Sequence, residues 1–232
     1  MINILIQRHF VEKQSLSSLA KEFKISRNTI TKKFREIGRV PINYQNSIKF
    51  NQYVFDFVDS EVKAYWLGFI AADGYIGKVN EFEIGLSIKD KEHLEKFKEF
   101  IGHSCSIKEK KSNNSCILSF RNKYFVDSLK FLGIKNCKSL TLEFPNIKGE
   151  LIPHFIRGYF DGDGCIHIRK QVKKYPLLVS ILGTPMFLEE MRKYLPKINK
   201  LYKNKGSEKT LIYQTSGKKA EKLLQFIYCR LK

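Results

Sequence analysis

Two stretches of this chain carry one pattern, with their aspartates ninety residues apart: residues 64–74 read AYWLGFIAADG and residues 154–164 read HFIRGYFDGDG. Each is an apolar run of helical length that holds a central glycine and stops at Asp-Gly. In the first, Val62, Ala64, Tyr65, Trp66, Leu67, Phe69 and Ile70 leave no polar stripe, so the helix is buried rather than amphipathic. Gly68 with Ala71 and Ala72, and Gly158 with Gly162, give each helix a smooth side that another backbone can approach closely. A repeat of this length predicts two similar α+β units in one chain, with their glycine-bearing helices packed together. Asp73 and Asp163 then stand side by side.

That pairing is electrostatically poor. A carboxylate at a helix C-terminus faces the negative end of the macrodipole, and two carboxylates at close range repel each other. Divalent cations that prefer oxygen ligands offset both terms, and such a site suits phosphoryl chemistry. A single Asp-Gly would be only a helix-ending turn. Two copies at matching places in matching halves indicate a site.

The segments between and after the two stretches repeat an order. In EFEIGLSIKD, Phe82, Ile84, Leu86 and Ile88 form one face, and Glu83, Gly85, Ser87 and Lys89 form the other. A helix over about 91–101, a hairpin with its tip at 112–115 and a helix over about 122–133 follow. The second half gives strands from CIHIRKQV and PLLVSILG, a helix over 184–195, a hairpin over 199–216 and a helix over 217–230. Lysines flank both hairpins: Lys108, Lys110 and Lys111 in the first, Lys200, Lys203, Lys205 and Lys209 in the second.

Residues 1–37 form a separate pattern. Leu16, Leu19, Ala20, Phe23, Ile25, Ile30 and Phe34 are spaced for two short helices packed on a first one, with Ser26 as an N-cap. This predicts a helix-turn-helix, although Lys24 holds the turn position where glycine is usual. Arg27, Asn28, Thr29, Lys32 and Lys33 would line the exposed face of its second helix and meet the major groove. Residues 38–56 carry glycine, proline and polar residues without helical period and predict a linker. The expected domains are thus 1–37, the linker, and the halves 57–147 and 148–232.

Net charge narrows the partner. The chain carries +19 over 232 residues, more than solubility needs, and this points to a polyanion. No run has the length of a membrane span and the N-terminus lacks the order of a signal peptide, so an intracellular protein is expected. Five cysteines without C-x-x-C spacing indicate neither a disulfide framework nor a zinc site. They are expected to be reduced and mostly buried.

The repeated WLGFIAADG and IRGYFDGDG resemble the motif of the LAGLIDADG homing endonucleases in their single-chain, two-motif form. The resemblance implies two αββαββα units with the motif helices at their interface and two saddle-shaped antiparallel sheets lying on DNA. It implies a monomer that cuts both strands of a long double-stranded target across the minor groove, leaving short 3′ overhangs, in intron or intein homing. Asp73 and Asp163 would bind catalytic Mg2+, with Mn2+ able to substitute, assisted by the main-chain carbonyls of Ala72 and Gly162. A catalytic lysine is implied after the third helix of each half: Lys138 in the first, with Lys232 or Arg230 as stand-ins at the end of the second. The hairpin lysines suit a basic saddle over phosphates, and Lys89, His167, Arg169 and Gln171 are expected in the grooves. Two further functions are implied for the same fold: a non-cleaving DNA-binding regulator and a maturase-type RNA splicing cofactor. Presence of both carboxylates favours the nuclease over the regulator.

Overall fold

The computed structural model describes residues 1–12, 14–39, 50–104, 106–196 and 200–228. The chain divides into two units, Met1–Lys49 and Phe50–Lys232.

In the first unit, α1 (Ile2–Ile6) runs on into a π-helical segment, Gln7–Val11, and is followed by α2 (Leu16–Glu22) and α3 (Arg27–Glu36). Leu5, Leu19, Ile30 and Phe34 are fully buried among the three helices. Ser15 and Ser26 cap α2 and α3 through their hydroxyls, accepting from the Ser18 and Thr29 amides. Lys24 takes φ +51°, so the turn between them has the left-handed residue that glycine usually supplies. Arg27, Asn28, Thr29 and Lys32 are exposed and Lys33 is half-buried. The Thr29 hydroxyl is already engaged with Ser26 Oγ at 2.8 Å.

The second unit begins earlier than composition suggests. Residues 40–49 of the expected linker lie outside the described residues, but from Phe50 the chain belongs to this unit's core: Val54 and Phe55 are buried in it, and Phe50 packs on it against Phe120 and Phe125. Asn51 N–H donates to the Ile101 carbonyl at 2.8 Å, fixing the entry. One lone anchor and one adjacent pair set no helical or strand period, so this stretch reads as linker in the sequence.

Two αββαββα repeats follow. The first is α4 (Glu61–Asp73), β1 (Gly74–Ile76), β2 (Glu81–Ser87), α5 (Lys91–Phe100), β3 (Lys108–Lys110), β4 (Ser115–Arg121) and α6 (Lys123–Phe131). The second is α7 (Ile152–Asp163), β5 (Gly164–Ile168), β6 (Leu177–Gly183), α8 (Pro185–Met191), β7 (Leu201–Asn204), β8 (Ser207–Ser216) and α9 (Lys218–Tyr228). Each half forms an antiparallel four-stranded sheet, ordered β1-β2-β4-β3 and β5-β6-β8-β7. Helices α5 and α6 pack on the first sheet, α8 and α9 on the second. Buried side chains of both halves merge into one core. No helix among the described residues is long and apolar enough to cross a membrane.

Alternation along the strands separates a covered face from an open one. Phe82, Ile84, Leu118 and Phe120 point into the core of the first half; Val179, Ile181 and Tyr213 do so in the second. Directly paired residues share a face, so Tyr75, Glu83, Ser119 and Gly85 stand on the open side of the first sheet, and Cys165, Ser180 and Gln214 on the open side of the second. Of the described cysteines only Cys116 is buried; Cys137 and Cys165 are exposed, and all three are free. The expectation of mostly buried thiols is thus corrected, because Cys165 falls on an open-face position and Cys137 on a surface turn. Cys105 and Cys229 lie outside the described residues.

Candidate active site

The two motif helices cross at their glycines. A Cβ on Gly68 would lie 2.0 Å from the Phe155 carbonyl oxygen, and one on Gly158 would lie 1.9 Å from that of Tyr65. Backbone therefore touches backbone, an approach open only to residues without a side chain. Each helix stops at its aspartate and continues directly into the first strand of its half. Gly74 and Gly164 are extended, with φ of −70° and −89°, rather than left-handed caps. Glycine is needed at Gly74 for space, since a Cβ would stand 2.6 Å from the Ile70 carbonyl oxygen.

This crossing brings Asp73, Asp163, Ala72, Gly162 and Lys138 together. A Cβ on Gly162 would meet Ala72 Cβ at 2.4 Å and Asp73 Oδ2 at 2.9 Å, so the two helix ends are in contact. The Asp73 carboxyl is pushed up to about 6, first by burial and then by the Asp163 charge, with Lys138 pulling the other way. Asp163 is also raised by burial, against the pull of Lys138 and the Tyr159 hydroxyl. Burial lowers Lys138, and both carboxylates oppose that shift.

Lys138 opens a short 3-10 turn, Lys138–Leu140, and its Nζ donates to the Ala72 carbonyl. The turn is held from both halves. Asn136 Nδ2 donates to the Ile76 and Gly77 carbonyls at 3.0 Å each, and Thr184 Oγ1 donates to the Leu142 carbonyl at 2.5 Å. Tyr159 stands against Asp163, with its hydroxyl donating to the Leu182 carbonyl at 2.9 Å. On the Asp73 side a cavity of about 460 Å³ is lined by Phe69, Asp73, Asp90, His93 and Asp161 among others. Asp161 accepts from Tyr65 at 2.8 Å and from Tyr228 at 2.5 Å, and the Tyr65 hydroxyl also meets His93 Nε2 at 3.0 Å. Burial leads the rise in the pKa of both tyrosines, so they stay protonated donors. Asn136, Tyr159 and Asp161 were not singled out by sequence. Asp161 carried a usable signal: it is an extra acid inside the second motif, where the first has Ala71.

Hard oxygen donors make up the centre: two carboxylates and the Ala72 carbonyl, with the Gly162 carbonyl expected beside them. That donor set fits an oxygen-seeking divalent cation and no soft metal. Among the described residues no three His, Cys, Asp or Glu side chains converge as a metal site. A cation here would have to complete its shell from main chain, water and substrate. The Ala72 carbonyl, expected as a ligand, accepts the Lys138 ammonium and is open to a cation only where Lys138 shares it.

The other expected contact residues separate into groups. Lys108 and Lys110 pair with Ile117 and Ser115 and stand on the open face of the first sheet. His167 is exposed on the open face of the second. Lys89 is exposed but lies in a 3-10 turn, Ile88–Asp90, past the end of β2. Arg169 and Gln171 lie beyond β5; Arg169 Nη2 donates to the Tyr175 carbonyl at 3.0 Å, closing that loop. Lys203 pairs with Leu211 on the face that carries Tyr213, so the open-face position of β7 belongs to Tyr202. A strand register off by one residue moves a side chain to the other face, and the sequence alone does not fix it. Lys205 is exposed in the β7–β8 turn. Arg230 and Lys232 lie outside the described residues.

No protein-family model and no curated protein matches the chain. Solved structures do. I-LtrWI, a LAGLIDADG homing endonuclease bound to target DNA, matches with a TM-score of 0.51 at 15% identity over 77% of this chain and 84% of that one. The meganuclease I-SmaMI bound to uncleaveable DNA gives 0.52 at 16% identity, covering 73% and 82%. The LAGLIDADG homing endonuclease I-GzeII in complex with its DNA target gives 0.50 at 14% identity, covering 73% and 84%. At these identities the likeness is one of fold, and the chain has the two-unit fold of the LAGLIDADG homing endonucleases.

Proposed function

We propose that this chain is a site-specific endonuclease of the LAGLIDADG homing type, which hydrolyses phosphodiester bonds in both strands of DNA with divalent metal and leaves short 3′ overhangs. The observation that carries the proposal is the meeting of Asp73 and Asp163 at the crossing of two buried helices, with the Lys138 ammonium bonded to the Ala72 carbonyl and felt by both carboxylates. The net charge of +19, the open sheet faces that start two residues past each carboxylate, and the DNA-bound structures of the same fold support it. Magnesium or manganese held by Asp73 and Asp163 would polarise the scissile phosphate and lower the pKa of the attacking water. Lys138 keeps positive charge where the pentavalent transition state gains negative charge. Tyr159 restrains Asp163, and the closed helix crossing fixes the spacing of the two carboxylates. One chain supplies both, so a monomer suffices. Each carboxylate serves the cut of one strand.

The cation tests the proposal. Calcium should strengthen DNA binding without cutting, magnesium or manganese should give cutting, and chelator should stop it, because the carboxylates repel each other when bare. If affinity ignores divalent ions and magnesium gives no nicks on a library of sites, the chain is a non-cleaving DNA-binding regulator instead.

We further propose that residues 1–37 bind DNA beyond the core footprint through Arg27, Asn28, Lys32 and Lys33. Deleting them should weaken binding on the order of tenfold at physiological salt and flatten the salt dependence, since fewer counterions are released. A footprint of unchanged length would make the segment a structural cap.

A further inference from the structure

Charge on the open face of the first sheet is not uniformly basic. Two carboxylates stand there, Glu81 and Glu83, on alternate positions of β2. Glu81 has Arg121 directly opposite, with Nη2 to Oε1 at 3.7 Å. Glu83 lies between Tyr75 on β1 and Ser119 on β4, and no described cation or hydrogen-bond donor meets its carboxylate. An unpaired carboxylate on a surface that meets a polyanion repels every phosphate, so it weakens non-specific binding. A base edge that offers a donor answers it.

Two such donors face the major groove, cytosine N4 and adenine N6. Adenine sets the N7 acceptor next to N6, which opposes an ionised carboxylate, whereas cytosine has no acceptor beside N4 on that edge. Resting on the DNA-cutting function proposed above, we infer that Glu83 reads a cytosine in the half-site under the first sheet. Its strand partner Tyr75 is two residues past Asp73, which sets this base near the cleavage centre. Ser119, directly opposite, offers either a donor or an acceptor and imposes no competing choice.

Selection of bound sites from a random DNA library, with calcium present, tests this on the whole chain. The parent should enrich cytosine at one inner position. Glu83→Gln supplies a donor and an acceptor that match adenine N6 and N7, so preference there should move from cytosine to adenine by roughly tenfold, with other positions unchanged. Glu83→Ala should lose preference at that position alone and bind random-sequence DNA more tightly than the parent. Should both variants select the same sequences as the parent, Glu83 reads no base and the inference falls while the nuclease stands. A parent that enriches no sequence at all would overturn the proposed function and this inference with it.

Discussion

Asp73→Asn and Asp163→Asn should each abolish double-strand cutting, by at least about a thousandfold, while DNA binding survives. Asparagine has nearly the same shape but takes away a negative oxygen donor where the proposed divalent cation would have few others: the second carboxylate and main-chain carbonyls, that of Ala72 already bonded to Lys138. A strand-resolved cleavage assay on supercoiled plasmid checks it, and a variant that still linearises plasmid at the parent rate would sink the proposed site. Each single variant keeps the other carboxylate, so nicking of one strand is the expected residual activity. The same substitutions should raise the melting temperature of the metal-free protein above pH 6. Asp73 has a folded pKa of about 6 against an unfolded value near 3.8, so the folded state binds the extra proton and loses stability as pH rises between the two. Removing the group removes that loss. A thermal melt at pH 5 and at pH 8 should therefore show a larger gain for Asp73→Asn at pH 8, since only part of the loss has developed at pH 5.

Gly158→Ala should destabilise the larger unit by about 3 kcal/mol, and Gly158→Val should prevent its folding. The added Cβ of either variant would sit 1.9 Å from the Tyr65 carbonyl oxygen and 2.8 Å from the Phe69 nitrogen, both main-chain atoms that no rotamer can move aside. The helices must separate, and the gap opens a core to which both halves contribute. Urea denaturation of the alanine variant measures the loss. Where it folds, cutting should fall further than DNA binding, since separation of α4 and α7 moves Asp73 away from Asp163 while leaving the sheets intact. Equal stability of Gly158→Ala and parent would mean that the backbones do not touch at this crossing.

Much of this architecture is legible in the sequence because burial is one-sided. Phe82, Ile84 and Leu86 alternate since β2 covers a core on one face only, and the repeated motif is legible because both copies meet the same partner, each other. Legibility fails where the determinant is a register or a long-range bond. Lys203 was expected to face DNA and lies on the opposite face of β7, a difference of one residue in pairing. Residues 50–56 look like linker because Phe50 and the adjacent pair Val54–Phe55 are too few and too irregularly spaced to set a helix or strand period. Lys138 came from resemblance to a family; what aims it at Ala72 is Asn136, whose bonds to Ile76 and Gly77 span some sixty residues and leave no local pattern. Asp161 and Tyr65 are 96 positions apart, and nothing in either segment names the other.

A symmetric dimer must carry the same residue at every pair of equivalent positions; this chain does not, and the helix crossing shows what it has done with that freedom. Counting back from Asp73 and from Asp163, Ala71 corresponds to Asp161 and Phe69 to Tyr159, so one helix contributes bare apolar surface where the other contributes hydroxyl and carboxylate. The sheets have diverged as far: β2 carries Glu83 on its open face, and β6 carries Ser180 and Leu178. Two surfaces so unlike cannot prefer the same sequence read in opposite directions. On the function proposed above, a selected target should therefore be non-palindromic, with one orientation of the protein on it.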